Sequence, residues 1–379
     1  MIRAGEAQRR RLNDTFAELC RIPSPFGRER AVADRVAGEL RGLGLEVEED
    51  GAGPAAGSEC GNLLARIATG AAPDQRSLLL CAHLDTVIPQ APIEPVVDDG
   101  RWENAQPGIL GADNKAAVAV ILEVVRHVVE RGAPVSLELL FTVCEENALR
   151  GAKAFDVSRL HSGFGFVFDH ATPIGEVVMA SPTYYRLDAE FHGAAAHAGI
   201  RPEEGRSAIA AAAAAVAAMR LGRLDEDTTA NVGRIEGGSA SVNVVPDRCR
   251  LEAEARSLEE GKVEALVAEM VDHVHEGANA AECDVDVDVE RLFAGYRVRP
   301  SSPALALAEA ALRACGYEPR RIVTGGGSDA NAFQAAGFHC LNLANGTERN
   351  HQPDEGVSVV ALEGMLDVAL ALVDAAAEA

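Results

Sequence analysis

The sequence predicts an α/β protein, a doubly wound and mainly parallel sheet with a second, α+β domain inserted into it. Three observations carry that reading. Apolar runs at 77–82, 135–143 and 164–168 read as buried strands. Each ends on acidic or imidazole side chains: His83-Leu84-Asp85, Glu145-Glu146 and Asp169-His170. Helical stretches separate the strands, as crossovers between parallel strands require. From about residue 183 the order becomes strand–helix–strand–strand–helix–strand, that of a ferredoxin-like sandwich. The expected division is 1–182 with 294–379 for the first domain and 183–293 for the inserted one.

Taken in order, residues 6–21 and 28–43 are amphipathic helices joined by the turn signal Pro23-Ser24-Pro25-Phe26-Gly27. Two weak strands lie within 44–70. After the strand 77–82, the segment 88–112 reads as a long loop with prolines and glycines, and such loops are often functional. It runs into Gly111-Ala112-Asp113-Asn114-Lys115 and a helix over 114–130, with Asp113 near its N-terminus. In the inserted domain, strands are predicted at 184–192, 228–236, 242–257 and 282–292, with helices at 203–221 and 259–277. Helix–strand alternation then resumes: helix 303–315, strand 320–323, helix 328–336, strand 338–343 and helix 357–376.

With 58 acidic and 35 basic residues the net charge is -23, which argues against a general affinity for nucleic acid or anionic membrane surfaces. No segment reaches eighteen consecutive apolar residues, so no membrane span is expected. The eight cysteines are scattered, with no Cys-x-x-Cys pair. They fit reduced, buried thiols in a cytoplasmic protein.

The residues able to carry chemistry are His83, Asp85, Asp113, Glu145, Glu146, Asp169 and His351. All are oxygen or imidazole donors, a set that suits zinc, manganese or cobalt at a catalytic site. Residues two apart on a strand share a face, so His83 and Asp85 can point the same way, one as ligand and one behind it. One carboxylate bridging two ions, with a histidine and an acid on each, makes a dinuclear hydrolase. Any one of these carboxylates alone reads more readily as a solvated acid at a strand end, and Asp113 alone could be a helix N-cap. Adjacent Glu145 and Glu146 diverge in direction, so one can bind metal while the other acts as a general base.

These motifs, in this order, resemble the dinuclear zinc exopeptidases that include peptidase T and carboxypeptidase G, over nearly the whole chain. The segment Gly325-Gly326-Gly327-Ser328-Asp329-Ala330-Asn331 and the pair Asn350-His351 resemble the peptidase T-like branch in particular. The resemblance implies that His83 and Asp169 hold one ion, Glu146 and His351 the other, and that Asp113 bridges. It implies that Asp85 orients His83 and that Glu145 deprotonates the attacking water. Two divalent cations are implied, zinc first and cobalt or manganese as alternatives. In the inserted domain, Gly193-Ala194-Ala195-Ala196-His197-Ala198-Gly199 is similar to the family segment whose histidine stabilises an oxyanion. Asn243 and Arg256 match positions that bind substrate, and Gly326 and Ser328 are further candidates. The inserted domain often serves as a lid and dimerisation domain in relatives, so a homodimer is expected.

Within the family, aspartate at position 169 looks like aminopeptidases and glutamate like several carboxypeptidases and deacylases. The resulting expectation is an aminopeptidase acting on short peptides, a tripeptidase by resemblance. The alternatives are an N-acyl amino acid deacylase or carboxypeptidase G-like hydrolase and, in a different class, a catalytically silent metal-binding scaffold.

Overall fold

The computed structural model describes residues 3–68, 77–239 and 241–378. The chain forms two compact units: one runs to Met179 and includes Arg297–Thr324 and Ser328–Ala379, the other is Ala180–Tyr296 with Gly325–Gly327.

The first unit is built on four adjacent parallel strands, in the order Ser136–Thr142, Ser77–His83, Gly165–His170 and Cys340–Ala344. Leu78, Leu79, Leu80, Cys81 and Ala82 are all 0% exposed, the continuous apolar run expected of a strand covered on both faces. Antiparallel strands flank the four. Leu63–Ile67 lies against Ser136–Thr142, and Val47–Glu49 lies outside it. On the other side, Glu176–Ser181 pairs with Cys340–Ala344. The register sets His83 opposite Thr142, so the carboxyl ends of neighbouring strands finish level. In open α/β sheets, ligands bind beyond those ends.

The helix Ala112–Arg131 is buried on nearly every side, which its apolar run from Ala116 to Leu122 allows. Its buried Glu123 is paired with Arg11 at 2.7 Å and Arg126 at 2.9 Å. Helices Glu6–Cys20 and Val359–Glu378 pack beside it. All eight cysteines are free thiols. Among the described residues no helix is long and apolar enough to cross a membrane.

The second unit carries an antiparallel five-stranded sheet. Its order is Gly222–Arg223, Thr228–Gly237, Arg248–Ser257, Thr183–His192 and Asp284–Phe293. Without the short first strand, this is the second–third–first–fourth order of the ferredoxin-like sandwich, and helices Ala208–Ala218 and Glu260–Ala280 pack against it. Exposed and covered residues alternate along Arg248–Ser257, with Cys249, Leu251, Ala253 and Ala255 turned inward.

Several sequence expectations need correction. The segment 88–112 is not all loop: Pro95–Asp98 and Arg101–Asn104 form a hairpin turned at Asp99 (φ 42°) and Gly100 (φ 76°). Asp-Gly is a strong hairpin signal, here masked by the prolines around it. Gly356–Ser358 and Thr347–Glu348 extend this hairpin to a four-stranded sheet. The helix expected at 203–221 is only Ala208–Ala218, because Ser207 caps it by accepting the Ala210 N–H. The strand expected from 242 begins at Arg248, behind Pro246, which has no N–H to give a ladder. The strand Glu176–Ser181 and the short helix Gly53–Ala56 were not anticipated. The last two residues of the 44–70 region lie outside the described residues.

Candidate metal centre

His83 ends its strand with its side chain almost wholly buried, at 2% exposure. Its Nδ1 lies 3.0 Å from the backbone oxygen of Asp85. A carbonyl can only accept, so the proton sits on Nδ1 and the Nε2 lone pair is free for a metal. That Nε2 faces Asp113 Oδ1 at 3.3 Å and Asp169 Oδ1 at 3.5 Å.

Asp113 sits at the start of the helix Ala112–Arg131, but it and Asn114 have non-helical backbone angles, and the peptide between them is cis. The two oxygens of its carboxylate point in different directions. Oδ1 faces His83, while Oδ2 accepts from Asn350 Nδ2 at 2.8 Å and lies 3.4 Å from His351 Nε2. Glu146 Oε1 is 2.9 Å from the same His351 nitrogen. Asp169, at the end of Gly165–His170, is steadied by Asn342, whose Oδ1 accepts its N–H at 3.0 Å, and by the Asn114 amide at 3.3 Å.

Three overlapping groups bring one donor atom from each member within 4.8 Å of the others: His83 with Asp113 and Asp169, Asp113 with Glu146 and His351, and His83 with Glu145 and Glu146. The electrostatics show what the pocket needs. Burial opposes charge on His83, yet Asp169, Asp113 and Asp85 outweigh it and hold the imidazole well above its ordinary value. Hydrogen bonds donated to Asp113 and Glu146 push His351 up to about 10. Burial raises Glu145, Glu146 and Asp169. Asp113 is held low, against burial, by His351 and His83. Carboxylates outnumber imidazoles, and buried charge without a counter-charge is costly. Oxygen and imidazole donors in two triads sharing Asp113 fit two divalent cations of the zinc, manganese or cobalt kind.

The family models described as Peptidase dimerisation domain and Peptidase family M28 match residues 184–282 and 62–170. A tripeptidase structure from Staphylococcus aureus is 33% identical, with a TM-score of 0.91 over 98% of this chain and 99% of that one. The aminopeptidase PepT structure from Bacillus cereus is 35% identical, with a TM-score of 0.85 over 97% and 99%. The chain belongs to the peptidase T-like M20 peptidases. The uncharacterized protein YqjE of Bacillus subtilis is 34% identical, over 97% of this chain and 99% of its own length.

In this peptidase T-like chain the second unit holds four of the expected substrate contacts. His197 is exposed, and its backbone bridges to Val244 beside the exposed Asn243. Arg256 stacks on the Tyr184 ring at 4.0 Å and donates to the Gly325 carbonyl at 3.1 Å. The Gly326 carbonyl accepts the Ser181 hydroxyl at 2.8 Å. Ser328 lies in the first unit at the N-cap of Asp329–Ala335, only 1% exposed.

Asp85 lies against His83 and also makes contacts that the sequence did not suggest. Its carboxylate is 3.4 Å from His83 Nδ1, but its two oxygens accept the backbone N–H groups of Glu145 and Glu146, each at 3.0 Å. The preceding Cys144 has a left-handed φ of 51°, and its N–H goes to the buried Glu29 at 3.1 Å. Neither contact was foreseen for Glu29 or Asp85. Lys115 is also explained: wholly buried, it anchors the helix start to the Ile22 carbonyl at 2.6 Å, and burial pushes its amine down to about 8. Asp329 receives the Thr142 hydroxyl, and burial pushes its carboxyl up to about 6. Glu29 and Asp329 stand at the starts of expected helices, and nothing in a helical pattern says which distant group such an acid will accept from.

Proposed function

We propose that this protein is a dinuclear zinc aminopeptidase that removes the N-terminal residue from short peptides, tripeptides first among them. The observation that carries the reading is Asp113, whose two carboxylate oxygens face His83 and His351 with Asp169 and Glu146 beside them. The tripeptidase and aminopeptidase relatives supply the substrate class. Aspartate at 169 tilts the choice the same way.

When bound, two divalent cations would polarise the scissile carbonyl and ease ionisation of water. His83 and Asp169 would hold one, Glu146 and His351 the other, and Asp113 both. Glu145 is the general base. Its buried carboxylate, raised by burial and by Asp169, is suited to take a proton from the attacking water and return it to the leaving amine. Asp85 fixes the backbone of the Glu145–Glu146 turn through its two accepted N–H bonds. His197, Asn243, Arg256 and Gly326 are assigned to substrate binding, with the Arg256 fork taking a carboxylate in exchange for its bonds to Glu254 and the Gly325 carbonyl. Ser328 is assigned there too, through the backbone at its helix start. The match to a dimerisation domain supports a homodimer formed through the second unit.

The test is a panel of di-, tri- and N-acylated peptides given to the zinc-loaded protein and read by mass spectrometry. Release of the N-terminal residue from tripeptides is expected. Hydrolysis confined to N-acyl amino acids would replace this reading with a deacylase of the carboxypeptidase G type, and metal uptake without any turnover would leave a scaffold.

A further inference from the structure

Glu355 lies on the same loop as His351, yet it belongs to none of the ligand triads and is 2% exposed. Its carboxylate is spent on backbone. Oε2 accepts the N–H groups of Leu110 at 2.9 Å and Gly111 at 2.8 Å, and Oε1 accepts that of Asp113 at 2.9 Å. The left-handed Gly111, φ 75°, turns the chain so that these donors converge on one acceptor. Successive N–H groups in such a turn form an anion-binding concavity. Here the anion is a side chain of the protein.

The loop that supplies Glu355 also supplies Asn350, which donates to Asp113 Oδ2 at 2.8 Å, and His351, 3.4 Å from the same oxygen. Arg349 and His351 both have left-handed φ, 57° and 66°, which non-glycine residues hold only when their surroundings fix them. At one end of the loop, Arg349 is paired with Asp354. Glu355 is the tie to the Asp113 segment itself. His351 is otherwise the ligand least supported by packing, with half its side chain exposed.

We propose that Glu355 is a positioning residue that locks the His351 loop to the Asp113 segment and thereby sets the affinity of the ion shared by Asp113, Glu146 and His351. The inference rests on the metal-centre reading above. Glutamine at 355 would place an NH₂ donor against at least one of the three backbone donors. Aspartate would keep the charge but fall one methylene short.

The test uses the full-length protein, as wild type, Glu355→Gln and Glu355→Asp, with zinc affinities measured by competition with a chromogenic chelator. Amide hydrogen exchange of residues 110–113 is followed in the metal-free proteins. We expect wild type to bind two ions, and Glu355→Gln to weaken one of them about 10–100-fold while the other keeps its affinity. Exchange at 110–113 should quicken. In a His351→Ala background, Glu355→Gln should cost no further zinc affinity. Wild-type affinity at both sites in Glu355→Gln, or unchanged exchange at 110–113, overturns the inference while leaving the metal centre standing. Equal weakening of both sites makes Glu355 merely structural and also overturns it. Failure of wild type to bind two ions overturns the metal-centre reading itself. Should Glu355→Gln not fold, the same outcomes are read from Glu355→Asp.

Discussion

The Asp85 carboxylate takes the backbone N–H of Glu145 at 3.0 Å while lying 3.4 Å from His83 Nδ1, so it touches the turn of the proposed base and the first histidine together. Its second oxygen takes the N–H of Glu146, while His83 is oriented by the Asp85 carbonyl. One residue therefore serves both halves of the centre, His83 through its main chain and the Glu145–Glu146 turn through its side chain. Asp85→Ala should leave the carbonyl contact to His83 in place and release the turn. A shift of about 1 Å at a reacting group costs on the order of 100-fold. The expected result is a kcat lower by about that factor, with KM little changed. Asp85→Asn keeps one acceptor and should fall in between. Equal kcat for Asp85→Ala and wild type would show that the turn holds itself.

Glu145→Gln removes the proposed base while preserving shape. Loss of general-base catalysis should lower kcat by about 100- to 10,000-fold. Zinc content should stay at the wild-type value, because the proposed centre is held by the two triads that share Asp113 and Glu145 belongs to neither. Steady-state kinetics beside elemental analysis checks both halves. Persistent turnover would move the base elsewhere, and loss of an ion would make Glu145 a ligand.

What sequence could reveal here follows from how each residue is supported. His83, Glu145 and Asp169 stand out because a polar side chain ends an apolar run, and strand register then carries the tips together. Asp113 and His351 are flagged by motif rather than by pattern, yet the structure sets an Asp113 oxygen 3.4 Å from the His351 ring. The roles of Glu29, Glu355 and Asp329 were illegible, although Asp329 lies within the quoted glycine-rich motif and Glu29 at the start of an expected helix. Glu29 and Glu355 act on backbone N–H groups, which leave no mark in a sequence. The Asp99-Gly100 hairpin was different, since its signal was present and the surrounding prolines outweighed it. The ferredoxin-like order could be read because its helices and strands alternate cleanly, while their ends, at Ser207 and Pro246, depended on caps and missing donors.

His127 offers a pH test away from the metal centre. Its Nδ1 accepts the Gln8 amide at 2.7 Å, a bond available only to the neutral ring. Burial, aided by Arg131, lowers its pKa below the ordinary value. The unfolded chain therefore binds this proton more readily, and the folded state loses stability as pH falls through about 6.5. His127→Gln should remove that part of the acid loss. Urea midpoints at pH 8 and pH 5 measure it: the drop should be smaller in the variant. Equal drops would mean that His127 titrates alike folded and unfolded.

Metal removal should destabilise the first unit. Glu145, Glu146 and Asp169 are buried and raised together, so the folded state without cations carries repulsion that the unfolded chain escapes. Binding to the folded state alone adds about 2.7 kcal/mol for each ion held at 100 times its dissociation constant. Chelation should lower the thermal midpoint, and restoring zinc should recover it. His351→Ala, expected to lose one ion, should show about half the wild-type rise on zinc addition. Calorimetry with and without chelator separates the outcomes. A midpoint indifferent to chelator would mean that these carboxylates are neutralised by protons, and the two-cation centre would have to be abandoned.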